Sequence, residues 1–122
     1  MLSVDILKTA LTALSNKKAI DCSAIKIEEL TVLSEYFVLA TATSSTHVRA
    51  LADEVDYQLS LVGVYPHHVE GKGSGWYLLD YGSVIINIFT REAREFYNLD
   101  SMWADGEIVD ITDFIDSEKE SN

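Results

Sequence analysis

The run YFVLAT at residues 36–41 is aromatic and apolar almost throughout and carries no charge. Successive side chains of a strand point to opposite faces, so this one presents apolar groups on both. Such a strand belongs inside a sheet that is covered on each side. An amphipathic pattern follows directly. Val48, Leu51, Ala52, Val55, Leu59 and Val62 recur at helical spacing, which predicts a helix of about four turns stopped at Gly63. A buried strand running into an amphipathic helix sets the class: a layered α/β domain.

The rest of the chain fits that frame. Val4, Leu7, Leu11 and Leu14, with Ile6, Ala10 and Ala13 beside them, predict a first helix over about residues 3–16, capped by Ser3 and ended by Asn16-Lys17-Lys18. Cys22 to Ile27 reads as a strand, and Glu28 to Glu35 as a connection with one short turn. Val64 to Glu70 reads as a strand that Pro66 pushes to a sheet edge. Gly71-Lys72-Gly73-Ser74-Gly75 is a flexible turn. Trp76 to Tyr81 and Val84 to Thr90 form a hairpin around Tyr81-Gly82-Ser83. Arg91 to Tyr97 is a short helix, followed by Leu99, Met102 and Trp103. The expected order is α-β-β-α-β-β-β-α: a mixed five-stranded sheet with helices packed on it.

At 122 residues the chain fits one domain and can bury a core without staples. We divide it into a domain over 1–105 and an acidic extension over 106–122. Within the extension, Ile108, Ile111, Phe114 and Ile115 are spaced to dock as a last helical turn, and the closing SEKESN is expected to be disordered. The single cysteine, Cys22, excludes an internal disulfide and a cysteine-based zinc site. Its apolar surroundings make it a small core hydrophobe. No apolar run approaches a bilayer's width, and MLSVDILKTALTALSNKK lacks the basic start of a secretory signal. A cytoplasmic protein is expected.

Charge narrows the partners. Twenty acids against nine bases give a net −11. Residues 100–122 carry −7 of it and the remainder −4. Nucleic-acid binding rests on Lys and Arg neutralising phosphates, so it is disfavoured as the main activity. A basic protein partner suits this balance.

The chemical motifs are mostly missing. Thr43-Ser44-Ser45-Thr46 stands between a strand and a helix, where unpaired N–H groups attract anions. Yet there is no GxxxxGK[ST] and no GxGxxG, and the turn holds no glycine. Ser44 and Ser45 therefore read as a helix cap, with an anion site as the alternative. A nucleotidyltransferase needs strand carboxylates for magnesium, and the strands offer Asp80 alone. His67 and His68 are adjacent on a strand, so they point apart and cannot share a metal. His47 falls in the first turn of the second helix, where it is solvated or capping. Ser44, His47 and Asp53 lie along one helix and cannot converge as a triad. No catalytic residue, metal site or cofactor is expected.

The hairpin is more informative. Trp76, Leu78 and Asp80 share one strand face, and Tyr77, Leu79 and Tyr81 the other. A tryptophan beside a carboxylate has the make-up of a binding anchor; the alternative is that Trp76 packs under the glycine turn. Phe96, Tyr97 and Trp103 read as core or helix-packing residues.

Three blocks, SEYFVLATATSSTHVRALADEV, GWYLLDYGSVIINIF and EAREFYNLDSMW, together resemble the ribosome silencing factor family (RsfS, also called Iojap) in order and spacing. The resemblance covers about residues 3–105. It implies a nucleotidyltransferase-like fold without the catalytic carboxylates, and no enzymatic activity. It implies binding to the large ribosomal subunit through its fourteenth protein, uL14, which blocks joining of the small subunit and represses translation under nutrient limitation. Organellar relatives assist large-subunit assembly, and many members form homodimers. The matching surface is Glu70, Trp76, Leu78, Asp80, Tyr81, Arg94 and Tyr97. The chain departs from the family pattern at Ala42 (commonly glycine), Thr46 (arginine), Ser83 (aspartate) and Asn87 (histidine). Two other readings remain: a nucleotide-binding enzyme using the Thr43–Thr46 turn, and an adaptor in large-subunit assembly.

Overall fold

A computed structural model describes residues 2–27, 34–71, 75–104 and 107–111, without the side chains of 102–104. Residues 28–33 of the connection expected over Glu28 to Glu35, the middle of the glycine turn, Phe114, Ile115 and the closing SEKESN lie outside the described residues.

Helix α1 (Ser3–Asn16) buries the predicted stripe, from Ile6 and Leu7 to Leu14. Ser3 does not cap it; its hydroxyl instead donates to Glu35 Oε2 at 2.7 Å. The helix ends in a Schellman motif. Ala19 N–H reaches Leu14 O, Lys18 N–H reaches Ser15 O, and Lys18 takes the left-handed conformation at φ 66°. Helix α2 (Ser45–Ser60) buries Val48, Leu51, Ala52, Val55 and Leu59. It closes in the same way, with Val64 N–H on Leu59 O and Gly63 N–H on Ser60 O. Gly63 supplies the positive φ of 78° there, which costs glycine nothing.

The strands are β1 (Ile20–Lys26), β2 (Tyr36–Ala42), β3 (His68–Glu70), β4 (Trp76–Asp80), β5 (Val84–Thr90) and β6 (Glu107–Val109). They form one sheet in the order β3-β4-β5-β2-β1-β6. The β2–β5 pair is parallel, and every other pair is antiparallel. The run that led the sequence reading, β2, lies inside the sheet, with Val38 to Ala42 buried. Helices α1 and α2 cover one face, over Ala24, Val38, Ala40, Leu79, Ile86 and Ile88. A smaller apolar cluster on the other face holds Ile25, Ile27, Leu39 and Phe89, with Trp76, Ala93 and Leu99 against it. Helix α3 (Arg91–Tyr97) and a 3-10 helix (Leu99–Ala104) stand on that second side.

Three expectations change. The sheet has six strands, because Glu107–Val109 pairs with β1. Its three residues in an acidic stretch carry no apolar alternation that marks a strand; backbone pairing makes it one. Ile108 is therefore exposed on a strand rather than docked in a helical turn. The strand expected over Val64 to Glu70 shrinks to His68–Glu70. Pro66 has no N–H to offer the ladder, and pairing begins only where His67 N–H meets Asp80 O at 2.7 Å. Strand β3 does lie at the sheet edge, where Pro66 put it. Finally, β1 starts at Ile20 rather than Cys22, and its register shifts between Ile20 and Ser23. Asp21 takes φ 49° in this bulge.

Candidate partner-binding surface

Register decides which side chains meet on the second face. Residues directly opposite each other in a sheet point the same way. Glu70 stands opposite Leu78, and Leu78 opposite Asn87. His68 stands opposite Asp80, Asp80 opposite Ile85, and Ile85 opposite Phe37. Trp76 stands opposite Phe89. Glu70, Trp76, Leu78 and Asp80 thus share one face, as the alternation on β4 predicts. Burial alternates along β4 accordingly, with Tyr77 and Leu79 buried and the other three partly exposed.

Trp76 is held on three sides. Its ring stacks on Phe89 at 5.5 Å between centroids. The Tyr97 ring lies 4.5 Å away, tilted by 45°. The indole N–H donates to Asn87 Oδ1 at 3.0 Å. Asn87 is fully buried, and its amide also donates to Val38 O at 3.3 Å. Trp76 is neither a free anchor nor packed away: one part is built into the small core and one part faces solvent.

Helix α3 completes the ledge. Thr90 caps it, its hydroxyl accepting from Ala93 N–H at 3.2 Å, and Asn98 ends it at φ 52°. No residue of α3 is buried. Of the two readings for Phe96 and Tyr97, core or helix-packing, the core one is corrected: Phe96 is 81% exposed and Tyr97 42%. Their rings meet edge to face at 5.1 Å. A seven-residue helix lying across β5 and β2 leaves its outer side uncovered, and the aromatics stand there. The Trp103 side chain lies outside the described residues.

Acidic groups share the face that carries Trp76. Asp80 is partly exposed, and its Oδ1 accepts the Gly82 N–H at 2.7 Å, which shapes the β4–β5 turn. Gly82 has φ 85°, and a Cβ there would sit 3.0 Å from the His67 ring, so any other residue would be strained. Glu70 is exposed and pairs with His68 at 2.8 Å.

Two of the expected surface residues point elsewhere. Tyr81 is 4% exposed and packs in the large core, because alternation along the strand turns it to the α1–α2 face. Burial, with Asp56 and Tyr77 nearby, pushes its hydroxyl far above the usual tyrosine range, and among the described residues that hydroxyl has no hydrogen-bond partner. Arg94 points away from Trp76, towards β1. It lines a polar cleft of about 520 Å3 with Asp21, Cys22, Ser23 and Asp100. Its hydrogen bonds hold the Asp100 carboxyl below its ordinary range, against the opposing effect of burial.

The serine turn is a cap by geometry. Ser44 Oγ accepts the His47 N–H at 3.1 Å, and Ser45 is the exposed first residue of α2. Both line a separate cleft of about 490 Å3 with Thr90 and Arg91. His47 does more than the sequence indicated. Nδ1 accepts Thr43 N–H at 2.9 Å, which leaves the ring proton on Nε2 to donate to Lys17 O at 2.7 Å. It thus satisfies a carbonyl at the end of α1. Among the described residues, no three His, Cys, Asp or Glu side chains are grouped to hold a metal. No helix among them is long and apolar enough to cross a membrane.

Asn87, Phe37 and Ile85 were missed as site residues. Asn87 had a signal: it is the one polar residue inside VIINIF, and a buried polar group must find partners. Phe37 and Ile85 had none, since pairing alone sets Ile85 opposite Asp80 and Phe37 opposite Ile85 on the same face.

The family model described as ribosomal silencing factor during starvation matches residues 2–122. The chain belongs to the RsfS family. It is 32% identical over 107 residues to the ribosomal silencing factor RsfS of Bacillus subtilis, covering 87% of this chain and 91% of that one. A crystal structure of protein CV0518 from Chromobacterium violaceum superposes with a TM-score of 0.82 at 31% identity, covering 85% of this chain and 88% of that one. The mouse protein named mitochondrial assembly of ribosomal large subunit protein 1 is 31% identical over 100 residues, which cover 74% of this chain and 41% of that longer one. RsfS relatives thus include both silencing factors and a factor of large-subunit assembly.

Proposed function

We propose that this RsfS-family chain binds the large ribosomal subunit through uL14, hinders joining of the small subunit by its bulk, and so represses translation when nutrients are limiting. The observation that carries the reading is the ledge of Trp76, Tyr97 and Phe96, bordered by Glu70 and Asp80, with Leu78 on the same face. Aromatic groups fixed in position lose little entropy on docking, so they suit the centre of an interface. Carboxylates at its rim steer a basic protein and orient it. Tyr81 supports this surface from beneath the sheet rather than touching the partner. No bond is made or broken in this mechanism, so it needs neither a catalytic residue nor a cofactor. It operates in the cytoplasm, on a protomer that also forms homodimers.

The second reading, an adaptor in large-subunit assembly, uses the same ledge and is favoured by the name of the mouse relative. Co-sedimentation of the purified chain with isolated large subunits, followed by addition of small subunits, separates them. Binding that reduces joining is the expected result. Binding without any effect on joining would favour the assembly role. Failure to bind would overturn both readings and turn attention to nucleotide titration at Ser44 and Ser45.

A further inference from the structure

A guanidinium has five N–H donors in a fixed fork. In Arg94 all five are engaged. Nε donates to Asp100 Oδ2 at 3.0 Å, and Nη2 to Asp100 Oδ1 at 2.8 Å. Nη1 donates to Asp21 O at 2.6 Å and to Thr41 Oγ1 at 2.9 Å. Nη2 makes the fifth, longer bond to Ser23 Oγ at 3.4 Å. The side chain is 13% exposed. An arginine in this state has no donor to offer an incoming protein, although the family resemblance places it on the partner-binding surface.

Its bonds tie four elements together. Arg94 sits in α3, Asp100 in the 3-10 helix, Asp21 and Ser23 in β1, and Thr41 in β2. The acceptor Asp21 O is available because the bulge lifts that residue out of the regular ladder, at φ 49°. Helix α3 buries none of its residues and so has little apolar anchorage of its own. Three residues beyond Arg94, Tyr97 lies against Trp76. Fixing the helix at Arg94 therefore fixes the aromatic pair.

We infer that Arg94 is a positioning residue: with Asp100 it locks α3 onto the β1 bulge and so presets the Trp76–Tyr97 ledge for docking. This rests on the reading that the ledge docks on the large subunit. A contact set in advance loses less on binding than one that must be ordered.

The test uses the full chain with Trp103→Phe, which leaves Trp76 as the sole tryptophan. Arg94→Ala, Arg94→Lys and Asp100→Asn are compared with Val55→Ala, a core substitution under the opposite face. Each is read by Trp76 emission and by affinity for isolated large subunits across a salt series. Arg94→Ala and Arg94→Lys are both expected to shift the emission and to weaken binding about tenfold, with the salt dependence unchanged. Asp100→Asn is expected to move the same way, and Val55→Ala to leave emission and affinity unchanged. Lysine keeps the charge but cannot reproduce the fork, so its failure separates positioning from charge. Full binding by Arg94→Lys, with a lower salt dependence in Arg94→Ala, would mark a direct contact and overturn the inference. Unmoved emission in Arg94→Ala would overturn it too. If the parent chain does not bind large subunits, the functional reading falls, while the emission alone still decides the lock.

Discussion

The Trp76 and Tyr97 rings lie 4.5 Å apart, although one belongs to a strand and the other to a helix twenty-one residues later in the chain. Neither ring could hold this position alone. Trp76 is fixed from below by Phe89 and Asn87, and Tyr97 by the helix that Arg94 secures. The exposed ledge is the visible end of a buried arrangement.

Asn87 is where that arrangement should be most sensitive. Asn87→Ala removes a buried amide that accepts from Trp76 and donates to Val38. Loss of a buried hydrogen-bonding group costs about 1–3 kcal/mol. Urea unfolding should show a midpoint lowered to match, with Trp76 emission altered in the native state. An unchanged midpoint would mean that water or a neighbour takes over both bonds.

Tyr81→Phe should act in the opposite direction. The hydroxyl is buried without a partner among the described residues, so deleting it removes a desolvation cost and little else. Thermal unfolding is expected to show a stability gain of up to about 1 kcal/mol. A loss instead would show that the hydroxyl is hydrogen-bonded in solution, for example to buried water.

Asp100 gives a pH signature. Arg94 holds its carboxyl below the ordinary 3.8 when folded. A depressed folded value contributes stability above the unfolded value and loses it as pH falls through the folded one. The stability difference between the parent chain and Asp100→Asn should be constant near neutral pH and shrink progressively below 3.8. Unfolding midpoints of both proteins, measured from neutral pH into strong acid, would show it. A difference that stays level throughout would disconnect Asp100 from the Arg94 lock.

Cys22 should be quiet in the native state. Burial pushes its thiol up to about 11; Arg94 opposes this and Asp21 adds to it. The thiolate is the reactive form, and at pH 8 it is then about one part in a thousand. An aromatic disulfide reagent should label the folded chain at least about a hundredfold more slowly than the chain in denaturant. Equal rates would place the thiol in an open, solvated position.

Affinity for large subunits should fall with salt. The chain carries −11, and the ledge is bordered by Glu70 and Asp80. Screening shortens the reach of such charges from about 10 Å at 0.1 M to about 3 Å at 1 M. Association rates should drop across that range more than dissociation rates rise. Salt-independent association would remove steering from the account.

Much of the fold was legible because local patterns and burial agree. The stripes of α1 and α2, the β4–β5 hairpin and the span of α3 follow from periods of 3.6 and 2 with glycine at the turns. So did the shared face of Trp76, Leu78 and Asp80. Strand β6 and the bulge at Asp21 were not legible, because both arise from backbone pairing with a distant strand. The exposure of Phe96 was equally hidden: an aromatic residue in a short helix reads as core or helix-packing until the packing of that helix is known.

The sequence by itself determined a layered α/β domain, an acidic surface and a β4 face combining tryptophan with carboxylate, since each is a property of neighbouring residues. It also carried the blocks that mark an RsfS-family chain. Only the tertiary structure decided what Arg94, Tyr81 and Asn87 do. Arg94 meets Asp21 and Thr41 across more than fifty residues of chain, and Asn87 meets Val38 across forty-nine. Contacts at that range leave no local periodicity, because they depend on how the strands are ordered and on which side of the sheet each helix settles.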